Sequence, residues 1–330
     1  MSKKTTKREL KNIVPFNKFM FRSCYYHQLI TAYGHYGVGE EYVLNNYLNL
    51  YDFNDETNVP CNFDIAFWDE GESERLSGLR LIKEKDSEDF TSEVIRALNR
   101  GIPVITAVDV FYLNYREDTY KKYHGSHFIL IYGYDLERKK FLINEHCFLN
   151  SINYSPRWSS FTLIKTAWSN YVKRLLSTEK SGYSYIKVKK IGSRQPILHH
   201  YGDLIKSKKD KICESLIAMQ KTSKLIVQAC KTKDLLEQKL DVLLKFIGMI
   251  RPKKEQEKTR LFSLNPALLE SVDRVLENYI FIYGVFAKFK FAKIITSFSL
   301  EKCINRMNEI LELETQIHYF YMGKDYEALC

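Results

Sequence analysis

The stretch that decides the fold of the first half lies at residues 123–135 and reads YHGSHFILIYGYD. The apolar run after His127 is rich in β-branched and aromatic residues, which predicts a buried strand over residues 127–134. A histidine at the first residue of such a strand lies at the edge of the sheet, where a cleft can form. Because the strand behind it is rigid, His127 is a candidate general base. Taken alone, a histidine at the end of a strand is more often an ordinary surface residue.

The next strand along the chain supplies a group that would orient this histidine. Residues 140–144 have a strand pattern, and the polar link at 135–139 predicts a hairpin between the two strands. Asn144 follows His127 by 17 residues across this hairpin, so the two residues are predicted to be neighbours. We therefore expect Asn144 to bind the far nitrogen of the imidazole, with Glu145, predicted on the other face of the strand, as the alternative.

Upstream of these strands, residues 23–36 predict a helix that Ser23 is placed to cap. Cys24 then lies at the helix N-terminus, where the backbone dipole and free N–H groups favour the thiolate, the nucleophilic form. A buried structural cysteine is the commoner role for a cysteine at random. The other six cysteines, at positions 61, 147, 213, 230, 303 and 330, are interpreted as structural.

The chain order of these residues is more informative than any one of them. A helix-opening cysteine precedes a strand at 103–110, then the histidine strand, and then a polar residue at the end of the following strand. The order Cys, His, Asn or Asp is typical of papain-like cysteine enzymes. The predicted fold class is α+β, with a papain-like N-terminal domain at residues 1–200 and an all-helical region at 201–330.

Four short segments make the resemblance closer. The motifs at residues 23–25, 101–104, 108–115 and 127–135 resemble the butirosin biosynthesis protein H family. That resemblance implies a papain-fold acyltransferase of antibiotic pathways, which moves an aminoacyl group from a carrier-protein thioester onto an amine. It also implies that Cys24 accepts the acyl group and that His127 is the base, oriented by Asn144 or Glu145.

Other side chains near the predicted cleft are candidates for substrate binding. Papain-like peptidases carry a glutamine shortly before the cysteine for the oxyanion hole; here Asn17 is the nearest amide, with the backbone N–H of Cys24 as a second donor. Asp109, Tyr112 and Tyr115 follow the strand before the histidine strand, so an aspartate there could hold a cationic amine between tyrosines. A solvated loop after a strand is an equally good interpretation.

Composition limits the partners. The net charge is +10, which favours an anionic partner such as an acidic carrier protein. No zinc-finger spacing, RNP motif or arginine-rich block indicates nucleic acid, and no apolar run is long enough for a membrane span. The seven scattered cysteines, an odd number, indicate reduced thiols in a cytoplasm.

No cofactor is required beyond a phosphopantetheine thioester presented by the carrier. The pair His124 and His127, with His146 and Cys147, has metal-capable ligands, but the usual catalytic zinc pattern is absent, so no metal is predicted.

The pattern of the second half predicts helices at 204–231, 233–250, 266–290 and 299–321. A charged connector, PKKEQEKTR at 252–260, is predicted between the second and the third of them. In the first half, residues 40–50 also predict a helix. Three rival functions stay open: a cysteine peptidase, amidase or thioesterase, in which water replaces the amine; a non-catalytic binding module of the same fold; and a structural protein in which the motif is chance.

Overall fold

The computed structural model describes residues 6–146, 148, 151–178, 182–197, 202 and 204–323. The chain divides into two compact units. The first combines a sheet with helices, and the second consists mainly of helices with one β-hairpin. The first unit contains Met1–Val43 and Asp69–Gln195, and the second contains Leu44–Trp68 and Pro196–Cys330. The α+β class is confirmed, but the grouping differs from the predicted ranges 1–200 and 201–330. The difference arises because residues 44–68 pack with the C-terminal helices.

The first unit is built on an antiparallel sheet whose strand order is β4-β9-β5-β6-β7-β8, with β1 also paired to β6. Its strands are β1 (Lys7–Glu9), β4 (Leu79–Glu84), β5 (Val104–Asp109), β6 (Ser126–Asp135), β7 (Lys140–Glu145), β8 (Ser155–Ser160) and β9 (Tyr185–Lys190). The predicted histidine strand is therefore β6, near the centre of the sheet, and the predicted hairpin joins it to β7.

Among the described residues, the helices of this unit are α1 (Cys24–His35), α3 (Glu70–Ser77), α4 (Phe90–Asn99) and α5 (Phe161–Arg174), and α2 (Glu41–Leu44) ends at the boundary between the units. The helix predicted at 23–36 is confirmed as α1, which packs against β6. α4 shows how the sequence sets such a helix. The Asp89 carboxylate accepts from the N–H of Ser92 at its start, and Gly101 follows its end with a φ of 75°.

A β-bulge interrupts the pairing of β6 with β7. Asp135 pairs with Lys140 at the hairpin end, and this register holds to Gly133 opposite Leu142. The register then shifts by one residue between Ile131 and Gly133. A Cβ atom on Gly133 would lie 2.8 Å from the carbonyl oxygen of Arg8, so the close approach of β1 requires glycine here.

The second unit joins a two-stranded hairpin to four long helices. The hairpin contains β2 (Tyr47–Asn54) and β3 (Val59–Ala66), and the helices are α6 (Lys209–Lys231), α7 (Lys233–Leu264), α8 (Leu269–Ala292) and α9 (Ser297–Met322). The core is apolar and is formed by residues of the four helices together with Tyr51 of β2. The helix predicted at 40–50 is wrong beyond Leu44, because the residues after it alternate between buried and half-buried positions as a strand.

The charged connector predicted at 252–260 is also wrong, since α7 continues through it and contains Pro252. Four of its polar side chains are buried rather than solvated: Lys254, Gln256, Glu257 and Arg260. Lys254 lies 2.5 Å from Glu257 and 2.6 Å from Glu314, and the amide of Gln256 donates to the Tyr47 carbonyl at 2.8 Å. These contacts within the unit offset the hydrogen bond that a proline removes from a helix.

Among the described helices, none is long and apolar enough to cross a membrane. The five cysteines that the structure describes are free thiols: Cys24, Cys61, Cys213, Cys230 and Cys303. Cys147 and Cys330 lie outside the described residues.

Candidate active site

Cys24 is the first residue of α1, as predicted from the sequence. Ser23 occupies the N-cap position with an extended backbone, φ −151° and ψ 169°, but its side chain makes no capping hydrogen bond. Arg22 before it has a φ of 50°, in the left-handed region that non-glycine residues seldom adopt. The chain therefore turns sharply into the helix. The thiol lies at the positive end of the helix, where the first N–H groups have no helical acceptor.

The Cys24 thiol is hydrogen-bonded to His127, and the backbone N–H of Phe128 donates to Sγ at 3.4 Å. Burial alone would raise the pKa of this thiol. The charge of His127, its hydrogen bond and the Phe128 N–H act in the opposite direction, and the net effect is a pKa below the ordinary 9.0. The site thus favours the thiolate.

His127 is buried at the start of β6 and is held on its other side by Glu145, whose Oε1 lies 2.8 Å from Nε2. Because Nε2 binds Glu145, the thiol contacts Nδ1. Burial would lower the pKa of His127, but the charges of Glu145 and Cys24 and their hydrogen bonds raise it to about 10. Burial likewise disfavours ionised Glu145, yet His127 holds its pKa below 4.5. The arrangement stabilises an imidazolium between two anions.

Asn144, the residue expected to orient the imidazole, does not contact it. Its amide donates to Oε1 of Gln28 at 2.9 Å. The Gln28 amide in turn donates to the backbone oxygen of Asn144 at 3.2 Å and to that of Phe128 at 3.3 Å. Gln28 lies one helical turn after Cys24, so this exchange ties α1 to β6 and β7 and fixes the thiol relative to His127. No local sequence pattern indicates this role for Gln28.

Tyr115, expected to bind substrate, contacts the carboxylate of the site. Its hydroxyl donates to Oε2 of Glu145 at 3.1 Å, and the Arg157 guanidinium lies 4.6 Å from the centre of its ring. The backbone N–H of His146 donates to Oε1 of Glu145 at 2.7 Å. Arg116, whose side chain is 1% exposed, also lowers the pKa of Glu145, after the larger effects of burial and His127. Tyr115 is therefore placed to position Glu145.

Asp109 and Tyr112 do not form the expected amine site. The Asp109 carboxylate is fully buried and accepts from the backbone N–H groups of Phe111, at 3.1 Å, and Gly125, at 3.3 Å. Its Oδ2 lies 2.7 Å from Nδ1 of His124. The Tyr112 ring packs against His124 and Phe111. These contacts make Asp109 an anchor of the loop between β5 and β6, and its carboxylate is buried away from solvent.

Asn17 is likewise engaged and does not supply the expected oxyanion donor. Its amide donates to the backbone oxygen of Tyr154 at 2.9 Å and its Oδ1 accepts from the Tyr154 N–H at 2.9 Å. The Tyr154 ring stacks on His27, with centroids 5.0 Å apart. The remaining predicted donor is the backbone N–H of Cys24 at the helix start.

His27 fixes the loop that precedes Cys24. Its Nδ1 lies 3.0 Å from the Phe16 carbonyl and its Nε2 accepts from the Phe21 N–H at 3.0 Å. A carbonyl only accepts and an N–H only donates, so the ring is neutral with its proton on Nδ1. Burial lowers its pKa and favours this state.

His146 brings a second imidazole to the site. Its ring centroid lies 4.8 Å from that of His127, and its Nδ1 lies 2.7 Å from the Phe148 carbonyl. Burial and the nearby His127 lower its pKa to about 4. The ligand-capable atoms of His127, Glu145 and His146 lie within 4.8 Å of one another and could hold a metal ion. Two of these three residues are already hydrogen-bonded to each other.

A cleft of about 360 Å³ opens over the thiol. Its lining includes Cys24, Arg116, His127, His146 and Tyr154. This volume is within the range of small-molecule sites. The cleft places the reactive sulfur, the imidazole and the helix N-terminus around one space, which is the arrangement that attack on a carbonyl carbon requires.

Comparison with known families agrees with the resemblance seen in the motifs. Residues 74–146 match the family model described as butirosin biosynthesis protein H, N-terminal. The match supports a family assignment of this type and includes His127 and Glu145, whereas Cys24 lies before it. Among curated proteins, none matches the chain at a significant level.

Proposed function

We propose that this protein is a cysteine-dependent acyltransferase of natural-product biosynthesis, with a papain-like first unit. The observation that carries the proposal is the continuous contact from Cys24 to His127 to Glu145. The family match at residues 74–146 supports a role in a biosynthetic pathway like that of butirosin. The papain-like interpretation is supported by a thiol at the start of α1 and by the packing of α1 against β6, whose second residue is His127.

The proposed first step is the transfer of an acyl group to the protein. The Cys24 thiolate attacks the carbonyl carbon of a thioester carried on phosphopantetheine, and the backbone N–H of Cys24 stabilises the oxyanion. When the intermediate collapses, the carbon–sulfur bond to the carrier breaks. The leaving sulfur takes the proton from Nδ1 of His127, which becomes neutral.

In the second step, a small amine attacks the acyl group on Cys24. Neutral His127 takes a proton from the attacking nitrogen at Nδ1 as the bond between the acyl carbon and Cys24 breaks. The amide product leaves, and the thiolate and the imidazolium are restored. Glu145 remains ionised throughout and stabilises the imidazolium form. The net charge of +10 supports an acidic carrier protein as the donor.

The first experiment tests activation of the thiol. At neutral pH, limiting iodoacetamide should modify Cys24 before the half-buried Cys61 and Cys213, because His127 and the Phe128 N–H lower the pKa of the Cys24 thiol and favour its thiolate. Peptide mapping by mass spectrometry measures the order. Faster labelling of Cys61 or Cys213 would contradict an activated Cys24.

The second experiment tests transfer. An acyl N-acetylcysteamine thioester, which mimics the end of the phosphopantetheine arm, should leave its acyl group on Cys24 of the wild-type protein and not on a Cys24→Ala variant. A panel of amines is then added, and amide and free acid are quantified. Amide formation supports transfer, whereas release of free acid at the same rate with and without amine would identify a thioesterase. If Cys24 never carries the acyl group, the remaining interpretation is a non-catalytic binding module of the same fold.

A further inference from the structure

A second concave site lies in the first unit, away from the thiol. This groove, of about 500 Å³, is formed between α4 and the edge of the sheet made by β4 and β9. Lys187 of β9 pairs with Val104 of β5, whereas His127 of β6 pairs with Val108 of the same strand. Four residues along a strand span roughly 13 Å, so the groove and the cleft lie toward opposite ends of β5.

The two sides of the groove are basic. Arg96 and Arg100 are four residues apart, one helical turn, at the end of α4. On the strand side, Lys187 and Lys189 are two residues apart and therefore lie on the same face of β9. Lys190 also lines the groove. Five cationic side chains therefore surround one concave space.

The two acidic residues of the lining neutralise only part of this positive charge. The Glu84 carboxylate lies 2.7 Å from Lys187, and Glu93 accepts from the hydroxyl of Tyr185 at 2.5 Å. Within the described part of the chain, the side chains of Arg96, Arg100, Lys189 and Lys190 form no hydrogen bond or ion pair, and Asp89 at the start of α4 is a further acidic group whose charge interacts with that of Arg96. Like charges brought together without counter-charges repel one another, and an anion between them relieves the repulsion.

The floor of the groove is apolar. Ile82, Ala97 and Ile102 contribute to it, together with the ring of Tyr36. The Tyr36 hydroxyl is already engaged, since it donates to the backbone oxygens of Val188, at 2.7 Å, and Gly101, at 3.2 Å. The volume is that of a small-molecule site, and apolar contacts with a few charged groups at the rim are typical of such sites.

We infer that this groove binds a small molecule that carries two or more phosphate groups beside an apolar part. The planar guanidinium groups of Arg96 and Arg100 suit bidentate bonds to phosphate oxygens, and Lys189 and Lys190 add point charges from the opposite side. A concave space between facing cations fits a compact polyanion better than the flat surface of an acidic protein. The inference is independent of the proposed acyl transfer, because the groove does not contain Cys24.

Calorimetric titration of the full chain with inorganic pyrophosphate tests the phosphate part. We expect one saturable site whose affinity falls as salt is added. An Arg96→Gln, Arg100→Gln double variant should bind at least roughly tenfold more weakly, because hydrogen bonds to charged groups are lost. The matched control is Lys173→Gln, Arg174→Gln on α5, which removes the same charge from exposed positions outside the groove. Its affinity should stay within about twofold of the wild-type value.

Two further titrations locate the site and its ligand class. Protein alkylated at Cys24 should bind pyrophosphate as the untreated protein does, and ADP, which adds an apolar base, should bind more tightly than pyrophosphate. Pyrophosphate binding that is absent, or that survives the loss of Arg96 and Arg100, would overturn the inference. Binding of polyglutamate alone, dependent on the same arginines, would make the groove a docking surface for an acidic protein and would also overturn it.

Discussion

The Oε1 atom of Glu145 lies 2.8 Å from Nε2 of His127, and both side chains are buried. The carboxylate also accepts from Tyr115 and from the backbone of His146. Three groups, the Glu145 carboxylate, the Tyr115 hydroxyl and the His146 N–H, thus set the state of one ring nitrogen of His127, and the opposite nitrogen faces the thiol. The charge of Glu145 is therefore coupled to the reactivity of Cys24 through the imidazole.

Removing that charge should change the pH dependence of acylation. In the wild-type protein, the alkaline limb of kcat/KM should reflect loss of the imidazolium near the pKa of His127, about 10. In a Glu145→Gln variant, the imidazolium loses its main stabilising charge, so the limb should move to lower pH and the maximum rate should fall. Rates of thioester acylation across pH measure this. Glu137→Gln, the same change at an exposed position in the hairpin turn, should leave the limb in place; an equal shift in both variants would contradict the assignment.

Tyr115→Phe tests the hydrogen bond to Oε2 of Glu145. Its loss should cost about 1 kcal/mol, or roughly fivefold in kcat/KM, and should move the alkaline limb in the same direction as Glu145→Gln. Tyr112→Phe is the matched control, because the Tyr112 ring packs on Phe111 and His124 without a hydrogen bond to the carboxylate. If Tyr115 binds substrate instead, the KM for the amine will rise and the pH limb will not move.

His146 should make the fold sensitive to acid. Its pKa is lowered from 6.5 to about 4 by burial and by His127, so the unfolded chain binds a proton there that the folded protein does not. The free energy of unfolding should therefore fall as pH drops from about 6.5 toward about 4. A His146→Asn variant retains a donor for the Phe148 carbonyl but does not titrate. Urea unfolding at several pH values should give it a shallower slope over this interval, and an unchanged slope would exclude His146 as the source.

The buried ion pairs of the second unit give a stability prediction. Lys254 lies between Glu257 and Glu314, and all three side chains are less than a tenth exposed. Lys254→Met leaves two buried carboxylates without their cation, which should cost about 3–5 kcal/mol in the free energy of unfolding. Lys258→Met removes a half-buried partner of Asp273 and should change the free energy of unfolding by about 0.5 kcal/mol or less. Similar losses in the two variants would show that the buried pairs contribute little.

The sequence was sufficient to place Cys24 at a helix start and His127 near the start of an apolar strand, because both positions give local signals. It was not sufficient to choose between Asn144 and Glu145. If the register that pairs Asp135 with Lys140 continued along the whole hairpin, the side chain of Asn144 would lie on the same face of the sheet as that of His127. The bulge shifts the pairing to Leu130 opposite Asn144 and brings Glu145 to that face. A one-residue shift of this kind leaves no clear pattern in the apolar residues.

The hydrogen-bond partners of side chains in the loops could not be predicted from local sequence patterns either. The contacts of Asp109, Tyr115 and Asn17 depend on how a loop folds back on itself. Asn17, for example, pairs with the backbone of Tyr154, which is 137 residues away along the chain. The hairpin of β2 and β3 was missed because its partners are the helices that follow much later in the sequence.

That hairpin has a consequence for synthesis of the chain on the ribosome. Residues 44–68 leave the exit tunnel early, yet the helices with which they pack begin at Lys209. The segment remains without its helical partners, with Tyr51 uncovered, while strands β4 to β9 of the first unit are translated. In a chain truncated near residue 200, residues 44–68 would never meet the helices that cover them. A shortened form of the first unit therefore requires a short linker in place of residues 44–68.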